Sequence, residues 1–149
     1  MERTFVMLKP DAVGRRLCGK IIGRLEAKGL RLVGLKMQIV PNALAEKHYA
    51  EHKGKPFYPA LVKFITSGPS IQMVWEGESA VAVVRRMNGV TNGVEAGVGT
   101  IRGDFGLSGR YNLVHASDSV ETAEREIGMY FDGAELWAYD MPDMHWFTN

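Results

Sequence analysis

The chain has 149 residues, of which 46% are hydrophobic and 23% are charged, and its formal net charge is +1. This length predicts one domain over residues 1–149 with a sizeable core. The near-neutral charge does not favour a nucleic-acid partner, so any phosphate site must be a local cluster of cations. A single cysteine, Cys18, excludes an internal disulfide and suits a reducing compartment, so we expect a cytoplasmic protein. No apolar run approaches the ~20 residues of a membrane helix, and we expect no membrane partner.

Hydrophobic periodicity and turn residues predict five elements in the first half of the chain. The apolar run before Pro10 and Asp11 is typical of a strand that ends in a turn, and Gly29 marks the end of a helix. Asn42 and Pro59 are residues that commonly begin helices. The predicted elements are a strand over 3–9, a helix over 17–28, a strand over 30–39, and helices over 42–52 and 60–67.

The second half of the chain predicts two strands and two helices around a long loop. Alternating Ile71, Met73 and Trp75 indicate a strand that ends at Gly77. Residues 89–109 are rich in glycine and show no periodicity, and such a loop in a compact domain is typically functional. The other elements are a helix over 79–87 begun by Ser79, a strand over 112–116, and a helix that reaches Phe131 from a capping box of Asp118 and Glu121.

This order of elements predicts an α+β fold in which helices cover one face of a largely antiparallel sheet. Two strand–helix–strand units fit a split βαβ arrangement. The sequence contains no internal repeat, linker or low-complexity segment, which is consistent with one domain over the whole chain.

The stretch "NLVHASDSVETAEREI" places His115 at the end of an apolar run, directly before a predicted helix. Such a histidine is a core residue, a metal ligand or a nucleophile that acts on a bound anion. The N–H groups at the start of the helix favour an anion, and Ser117 and Ser119 supply hydroxyls. Glu126 lies about two turns further on and could orient the imidazole. A neutral imidazole attacks phosphorus without a base, so His115 is a candidate phosphate acceptor.

Three cations are candidates for a phosphate site. Lys9 ends the first strand, Arg85 lies on a helix, and Arg102 lies in "GTIRGDFG", where glycines allow the backbone to approach a ligand. Phosphoryl transfer depends on positioning and charge stabilisation, so it needs cations from several elements. The spacing does not show whether these three meet His115.

The segment "HYAEH", His48 to His52, indicates a different function. It matches the H-x-x-E-H pattern of inverted zinc peptidases, in which two histidines at i and i+4 share one helix face and bind zinc. No third ligand follows in the expected setting. The simpler alternative is an exposed amphipathic helix.

Six segments resemble the nucleoside diphosphate kinase family, in order and over nearly the whole chain. They are "ERTFVMLKPD", "KGLRLVGLKM", "AEKHYAEHKGKPFYPALVKFITSGP", "MVWEGE", "GTIRGDFG" and "NLVHASDSVETAEREI". The resemblance implies a ferredoxin-like βαββαβ core and transfer of a γ-phosphoryl group from a nucleoside triphosphate, mainly ATP, to a nucleoside diphosphate. It also implies a ping-pong route through a phosphohistidine, broad base specificity, and a homo-oligomer, either a hexamer or a tetramer. Mg²⁺ would be carried mainly by the nucleotide phosphates, and no residue is expected to bind a metal directly.

The resemblance also implies roles for residues of this chain. His115 corresponds to the phosphorylated histidine, which attacks through Nδ1, and Glu126 to the carboxylate that orients it. The other catalytic positions are Lys9, which neutralises the transferring group, Tyr49 close to it, and Ser117 beside Glu126. The nucleotide-binding positions are Lys9, Phe57 on the base, Arg85 and Arg102 on the diphosphate, Thr91 on a phosphate oxygen, and Asn112 on the ribose.

The chain departs from the family pattern in the long loop and near its C-terminus. Gly93 and Val98 stand where prolines are usual, so we expect a looser loop. Gly109 replaces the usual apolar residue opposite the base, Tyr111 lengthens the segment that follows, and Ala12 stands in place of a glycine. The C-terminal segment "HWFTN" also differs from the usual ending of the family. These changes leave open a second function, a regulatory protein that binds nucleotides with weakened catalysis.

Overall fold

The computed structural model describes all 149 residues of the chain. Its regular elements are β1 (Glu2–Leu8), α1 (Pro10–Gly14), α2 (Cys18–Ala27), β2 (Arg31–Gln38), α3 (Asn42–His48), α4 (Tyr58–Ile65), β3 (Ser70–Gly77), α5 (Ala80–Asn88), α6 (Ile101–Phe105), β4 (Val114–Ala116) and α7 (Val120–Tyr130). Short 3₁₀ turns lie at Ala50–His52, Gly133–Glu135 and Met144–Trp146. None of the helices is long and apolar enough to cross a membrane.

The four strands form one antiparallel sheet in the order β2-β3-β1-β4. β1 pairs with β3 along its whole length, and the short β4 pairs with the end of β1, which places His115 opposite Met7. β2 pairs with the other side of β3 through a bulge between Leu32 and Gly34. With α2 crossing from β1 to β2 and α5 crossing from β3 to β4, this topology confirms the ferredoxin-like βαββαβ core.

Helices cover both faces of the sheet, so the prediction that they pack on one face is wrong. On β1, Val6 and Leu8 enter a core beneath α2 and α5, whereas Phe5 and Met7 enter a second core. The second core is closed by α3, α4 and α7. The alternation of polar and apolar residues in β3 suggested that one face of the sheet is exposed. Polar residues of β3 such as Gln72 are instead buried and hydrogen-bonded.

Two predicted helix boundaries are corrected by the structure. The helix predicted over 42–52 ends at His48, because the backbone of the next residue leaves the helical region and a 3₁₀ turn follows. The last helix is capped by Ser119, whose hydroxyl accepts a hydrogen bond from a first-turn N–H at 3.1 Å. The predicted capping box of Asp118 and Glu121 is therefore wrong by one residue.

The glycine-rich loop contains α6, which periodicity did not indicate because five residues are too few to show a pattern. Thr100 caps this turn through its hydroxyl, which accepts an N–H at 3.0 Å. Arg24 of α2 holds it from outside by pairing with Asp104 at 2.5 Å. Gly93 packs so closely on the backbone of the same loop that no Cβ fits there. The looser loop expected from Gly93 and Val98 stays a prediction.

Hydrogen bonds between the end of β1 and the start of β4 hold one strained residue. Leu113, directly before β4, has a φ of +74°, which residues other than glycine rarely adopt. Its N–H donates to Oδ2 of Asp11 at 3.0 Å, and its carbonyl accepts from the N–H of Lys9 at 2.8 Å. The Leu113 side chain is fully buried, which offsets the strain. Asp11 therefore fixes the path of the chain between Asn112 and His115.

Replacing Asp11 with alanine is expected to lower the free energy of unfolding by about 1–3 kcal/mol, because the N–H of buried Leu113 loses its acceptor. The matched variant Asp11→Asn keeps an oxygen at that position and should lose less. Urea unfolding at one fixed protein concentration measures both values. An Asp11→Ala protein as stable as the parent would show that the carboxylate does not hold the strained turn.

Candidate active site

His115 lies on β4 and points away from the core beneath α2. Its neighbours Val114 and Ala116 enter that core, so strand alternation turns His115 to the opposite face. There its ring lies 6.0 Å from the ring of Phe5 and 4.6 Å from that of His48, measured between centroids. The side chain is 25% exposed, so the imidazole is held in place and still reaches solvent.

Glu126 of α7 orients this imidazole. Its Oε2 lies 2.8 Å from Nε2 of His115, and its Oε1 accepts the hydroxyl of Ser117 at 2.6 Å. An ionised carboxylate can only accept hydrogen bonds, so the contact assigns the ring proton to Nε2. The lone pair on Nδ1 is then free. The structure thus brings together the three predicted residues His115, Glu126 and Ser117.

The Glu126 carboxyl keeps its charge although it is buried. Burial alone would raise its pKa, but the hydrogen bonds from His115 and Ser117 hold the pKa below its usual value. His48 lies 3.9 Å from the same carboxylate, and its Nδ1 is 3.1 Å from the hydroxyl of Tyr130. Burial, and then the neighbouring His115, lower the pKa of His48 to about 3. An ionised Glu126 therefore lies beside a neutral His48.

Lys9, Arg102 and Asn112 form a second polar group, at the ends of β1 and β4. The ammonium of Lys9 donates to Oδ1 of Asn112 at 2.8 Å. The buried guanidinium of Arg102 donates to three backbone carbonyls, at 2.6, 2.8 and 3.2 Å. Burial and then Arg102 lower the pKa of Lys9 to about 8, while burial and then Arg85 lower that of Arg102 to about 10. Arginine has five N–H donors, so two remain for an anion.

A cavity of about 170 Å³ opens beside His115. Arg85 reaches it from α5 and donates to a backbone carbonyl of β4 at 3.4 Å. Tyr49 lines it too, and burial raises the pKa of Tyr49 to about 12, so its hydroxyl stays protonated and can donate. Glu51 and Asp118 bring two carboxylates to the same cavity. The space next to His115 is therefore polar and contains both signs of charge.

A larger cavity of about 410 Å³ shares Tyr49 with the first. Phe57 and Phe64 supply its apolar lining, Lys9 contributes to its polar part, and Gly109 lines it from the loop without a side chain. The ring of Phe57 is 48% exposed, which leaves a face free for stacking. The two cavities together offer an apolar compartment and a charged compartment that meet at Tyr49.

Thr91 and the added Tyr111 contact residues of the site, whereas Ala12 belongs to the core. Thr91 is exposed, and its backbone carbonyl accepts the amide of Asn112 at 3.1 Å. Tyr111 packs edge-on against Phe64, with 5.2 Å between the ring centroids, so the longer segment is absorbed beside the larger cavity. Ala12 is fully buried beneath the sheet. Hydrogen bonds thus connect Thr91 through Asn112 to Lys9, and the roles of the individual residues stay predictions.

The zinc-peptidase interpretation of His48 and His52 is wrong. α3 ends at His48, so the two histidines do not share a helix face. His52 packs edge-on against Phe57, with 5.3 Å between centroids, whereas His48 joins His115 and Glu126.

Two residues of the site were not identified from the sequence. His48 was assigned to a helical pair, and only the tertiary structure brings it to Glu126. Asp11 was taken as part of a turn, although its carboxylate positions the segment before His115. The turn motif "KPD" at the end of a strand was the one signal that could have indicated Asp11.

Comparisons with known proteins identify the family of the chain. The family described as nucleoside diphosphate kinase matches residues 2–136. A nucleoside diphosphate kinase of Staphylococcus epidermidis is 57% identical over 146 residues, which cover 98% of both chains. One of Methanothermobacter thermautotrophicus is 55% identical and covers 96% of this chain and 95% of its own. The solved structure of a halophilic nucleoside diphosphate kinase from Halobacterium salinarum in complex with CDP has a TM-score of 0.97, is 49% identical and covers 99% of both chains. This chain therefore belongs to the nucleoside diphosphate kinase family of phosphotransferases, which transfer phosphate between nucleotides.

Proposed function

We propose that this chain transfers the γ-phosphoryl group of a nucleoside triphosphate, mainly ATP, to a nucleoside diphosphate through a phosphohistidine at His115. The observation that carries the proposal is the 2.8 Å contact between Glu126 and Nε2 of His115. It leaves an unprotonated Nδ1 on a ring that lines a cavity with Arg85 and Tyr49. Such a nitrogen is a nucleophile that needs no general base.

In the first half-reaction, Nδ1 of His115 attacks the γ-phosphorus. The Nδ1–P bond forms, the bond from phosphorus to the bridging oxygen breaks, and the nucleoside diphosphate leaves with the electron pair. The phosphorylated ring is cationic because the proton stays on Nε2, and the Glu126 carboxylate stabilises this charge. In the second half-reaction, a terminal oxygen of another nucleoside diphosphate attacks the same phosphorus, the Nδ1–P bond breaks, and its electron pair returns to Nδ1 of His115. The first product leaves before the second substrate binds, so the kinetics are ping-pong.

The cations around the cavity stabilise the phosphates. Lys9 balances the charge of the transferring group, while Arg85 and Arg102 hold the diphosphate. Burial and then the charge of Arg102 lower the pKa of Lys9 to about 8, so these two cations repel one another in the free protein. A phosphate among them removes this repulsion, so binding is favourable and Lys9 regains its full charge.

Mg²⁺ would enter this site on the nucleotide phosphates. Glu51 and Asp118 line the cavity beside His115, and this donor set fits an ion that is typically held by phosphates, waters and one or two carboxylates. When bound, Mg²⁺ neutralises the charge of the phosphate oxygens.

Stacking on Phe57 would give broad base specificity. Its exposed ring borders the apolar cavity, and stacking tolerates every base because each base has a π-face. Gly109 supplies no second apolar side chain, so the contact depends mainly on Phe57.

A homo-oligomer, either a hexamer or a tetramer, completes the proposal. β2 lies at the edge of the sheet and exposes Leu35 and Met37 by 49% and 56%, and Ile39, directly after the strand, is 58% exposed. An apolar edge strand presents unpaired main-chain groups that another strand can cover. A second copy of β2 would extend the sheet across a two-fold axis and bury both apolar rows. The cytoplasmic location expected from the composition stays a prediction.

The phosphohistidine is tested by incubating the protein with γ-labelled ATP and Mg²⁺, without acceptor, and then adding UDP. We expect acid-labile, alkali-stable label on the protein that moves to UTP. His115→Ala should take up no label and lose more than about 10³-fold of its exchange activity, because no other side chain replaces the nucleophile. The exposed His145 is the matched control, and His145→Ala should label like the parent. Label that persists in a folded His115→Ala protein would contradict the proposal, and nucleotide binding without label in the parent would support the regulatory alternative.

Base stacking is tested with Phe57→Ala. We expect KM to rise about 5- to 150-fold for purine and pyrimidine diphosphates alike, because stacking on one base contributes ~1–3 kcal/mol. Phe57→Trp keeps an aromatic face and should stay close to the parent. Steady-state kinetics with four diphosphates measure the effect. A rise confined to one base would show that Phe57 selects bases rather than accepting all of them.

The role of Lys9 is tested by the pH dependence of kcat/KM, which reports on the free enzyme. The pKa of Lys9 is lowered from 10.5 to about 8, so its ammonium loses its proton, and kcat/KM falls, as the pH rises through 8. In Lys9→Arg the side chain stays charged, so the alkaline fall should move to higher pH whatever the absolute rate. An alkaline fall at the same pH in both proteins would exclude Lys9 as its cause.

A further inference from the structure

His48, His115 and Glu126 form the one group in the chain whose ligand atoms all lie within 4.8 Å of one another and could hold a metal ion. We propose that this group binds a transition-metal dication of the Zn²⁺ type, and that the bound ion inactivates His115. The site is distinct from the nucleotide-borne Mg²⁺, because its ligands are two imidazoles and one carboxylate. That set is typical of zinc rather than of magnesium.

Two of the three distances between ligand atoms need only a small adjustment to accept the ion, and the third lies within 4.8 Å. Oε2 of Glu126 lies 2.8 Å from Nε2 of His115 and 3.9 Å from Nε2 of His48. Two ligands of a tetrahedral zinc ion are separated by about 3.3 Å, because each lies ~2.0–2.1 Å from the metal. The distance from Glu126 to His115 must therefore lengthen, and the distance from Glu126 to His48 must shorten, each by about half an ångström. All three side chains line the cavity beside His115, so the ion has a route from solvent and room for a fourth ligand.

The ligands are in the right protonation states. The imidazole of His48 is buried, which favours its neutral form, and the carboxylate of Glu126 accepts hydrogen bonds from His115 and Ser117, which favour its ionised form. The hydroxyl of Tyr130 lies 3.1 Å from Nδ1 of His48 and can accept a hydrogen bond from an N–H there, which leaves the lone pair of Nε2 free for the ion.

Metal binding changes the tautomer of His115. In the free protein the ring proton lies on Nε2 and points at Glu126. A metal ion that binds Nε2 replaces the proton there and uses the electron pair of that nitrogen, so the proton moves to Nδ1. No proton is gained or lost by the ring, but the nitrogen that attacks phosphorus no longer has a lone pair. The ion therefore inactivates the nucleophile without blocking the cavity for the base.

The surrounding charges admit a dication. The cavity is lined by the carboxylates of Glu51, Asp118 and Glu126 and by the guanidinium groups of Arg85 and Arg125, so the carboxylates exceed the cations by one. Lys9 adds positive charge nearby, since it contributes to the lowered pKa of His48. This opposing cation should keep the affinity moderate and the binding reversible.

Direct binding of Zn²⁺ without nucleotide is the first test, by calorimetry and by equilibrium dialysis with metal analysis. We expect one ion per chain in the parent and affinity reduced more than ~10-fold in His48→Gln and in His115→Asn. The second variant covers the case in which the loss of buried His48 disturbs folding. His52→Gln and His145→Gln are the matched controls and should bind like the parent. With Co²⁺ in place of Zn²⁺, the parent should show the visible absorption of a tetrahedral ion. His48→Gln and His115→Asn should not show it.

No binding in the parent, or binding that survives both His48→Gln and His115→Asn, would overturn the proposal. A second readout rests on the proposed phosphohistidine. Phosphate on Nδ1 keeps the proton on Nε2, so phosphorylated protein should bind no Zn²⁺ at this site, and Zn²⁺ should prevent labelling by ATP in excess Mg²⁺. Undiminished binding to the phosphorylated protein would contradict the tautomer argument. Absence of label in metal-free protein would instead count against the phosphohistidine, and the binding result would stand separately.

Discussion

The hydrogen bond between His115 and Glu126 is the interaction on which the rest of the site depends. The two residues lie on β4 and α7, so the bond forms only when the helix packs on the sheet face to which strand alternation turns the imidazole. The bond selects the ring nitrogen that carries the proton. It also needs an ionised carboxylate in a buried place, and Ser117 makes that possible by donating a second hydrogen bond. Topology, tautomer and charge are thus fixed by one contact.

The cationic part of the site lowers the stability of the free protein. Lys9 directly follows β1 and Arg102 lies on α6, and their pKa values are lowered by burial and by neighbouring cations. A lysine whose pKa is lower in the folded chain opposes folding. For Lys9 this cost is fully present below pH 8 and disappears as the pH rises towards 10.5. An anionic ligand reverses the cost, so binding and stability are coupled.

Periodicity in the sequence predicted the strands, because alternation is a local property. Glu126 was proposed as the partner of His115 from its position in the helix that follows, but the contact itself depends on the packing of α7 on the sheet. The turn α6 could not be predicted in this way, since it spans five residues and depends on Thr100 and on distant Arg24. The positive φ of Leu113 is opposite to the preference of leucine. It is imposed by hydrogen bonds from another part of the chain, and such bonds leave no local pattern in the sequence.

The motif "HYAEH" shows how a correct residue can be found for the wrong reason. Helical spacing pairs His48 with His52, but the end of α3 separates them, and packing against α7 gives His48 the partners Glu126 and His115. Burial keeps His48 neutral, and this matters for phosphoryl transfer because a charged His48 would compete with His115 for the same carboxylate. A neutral imidazole beside a carboxylate is also a metal ligand. The neutral His48 that leaves Glu126 to the proposed nucleophile His115 is therefore also the group that would allow zinc to bind beside it.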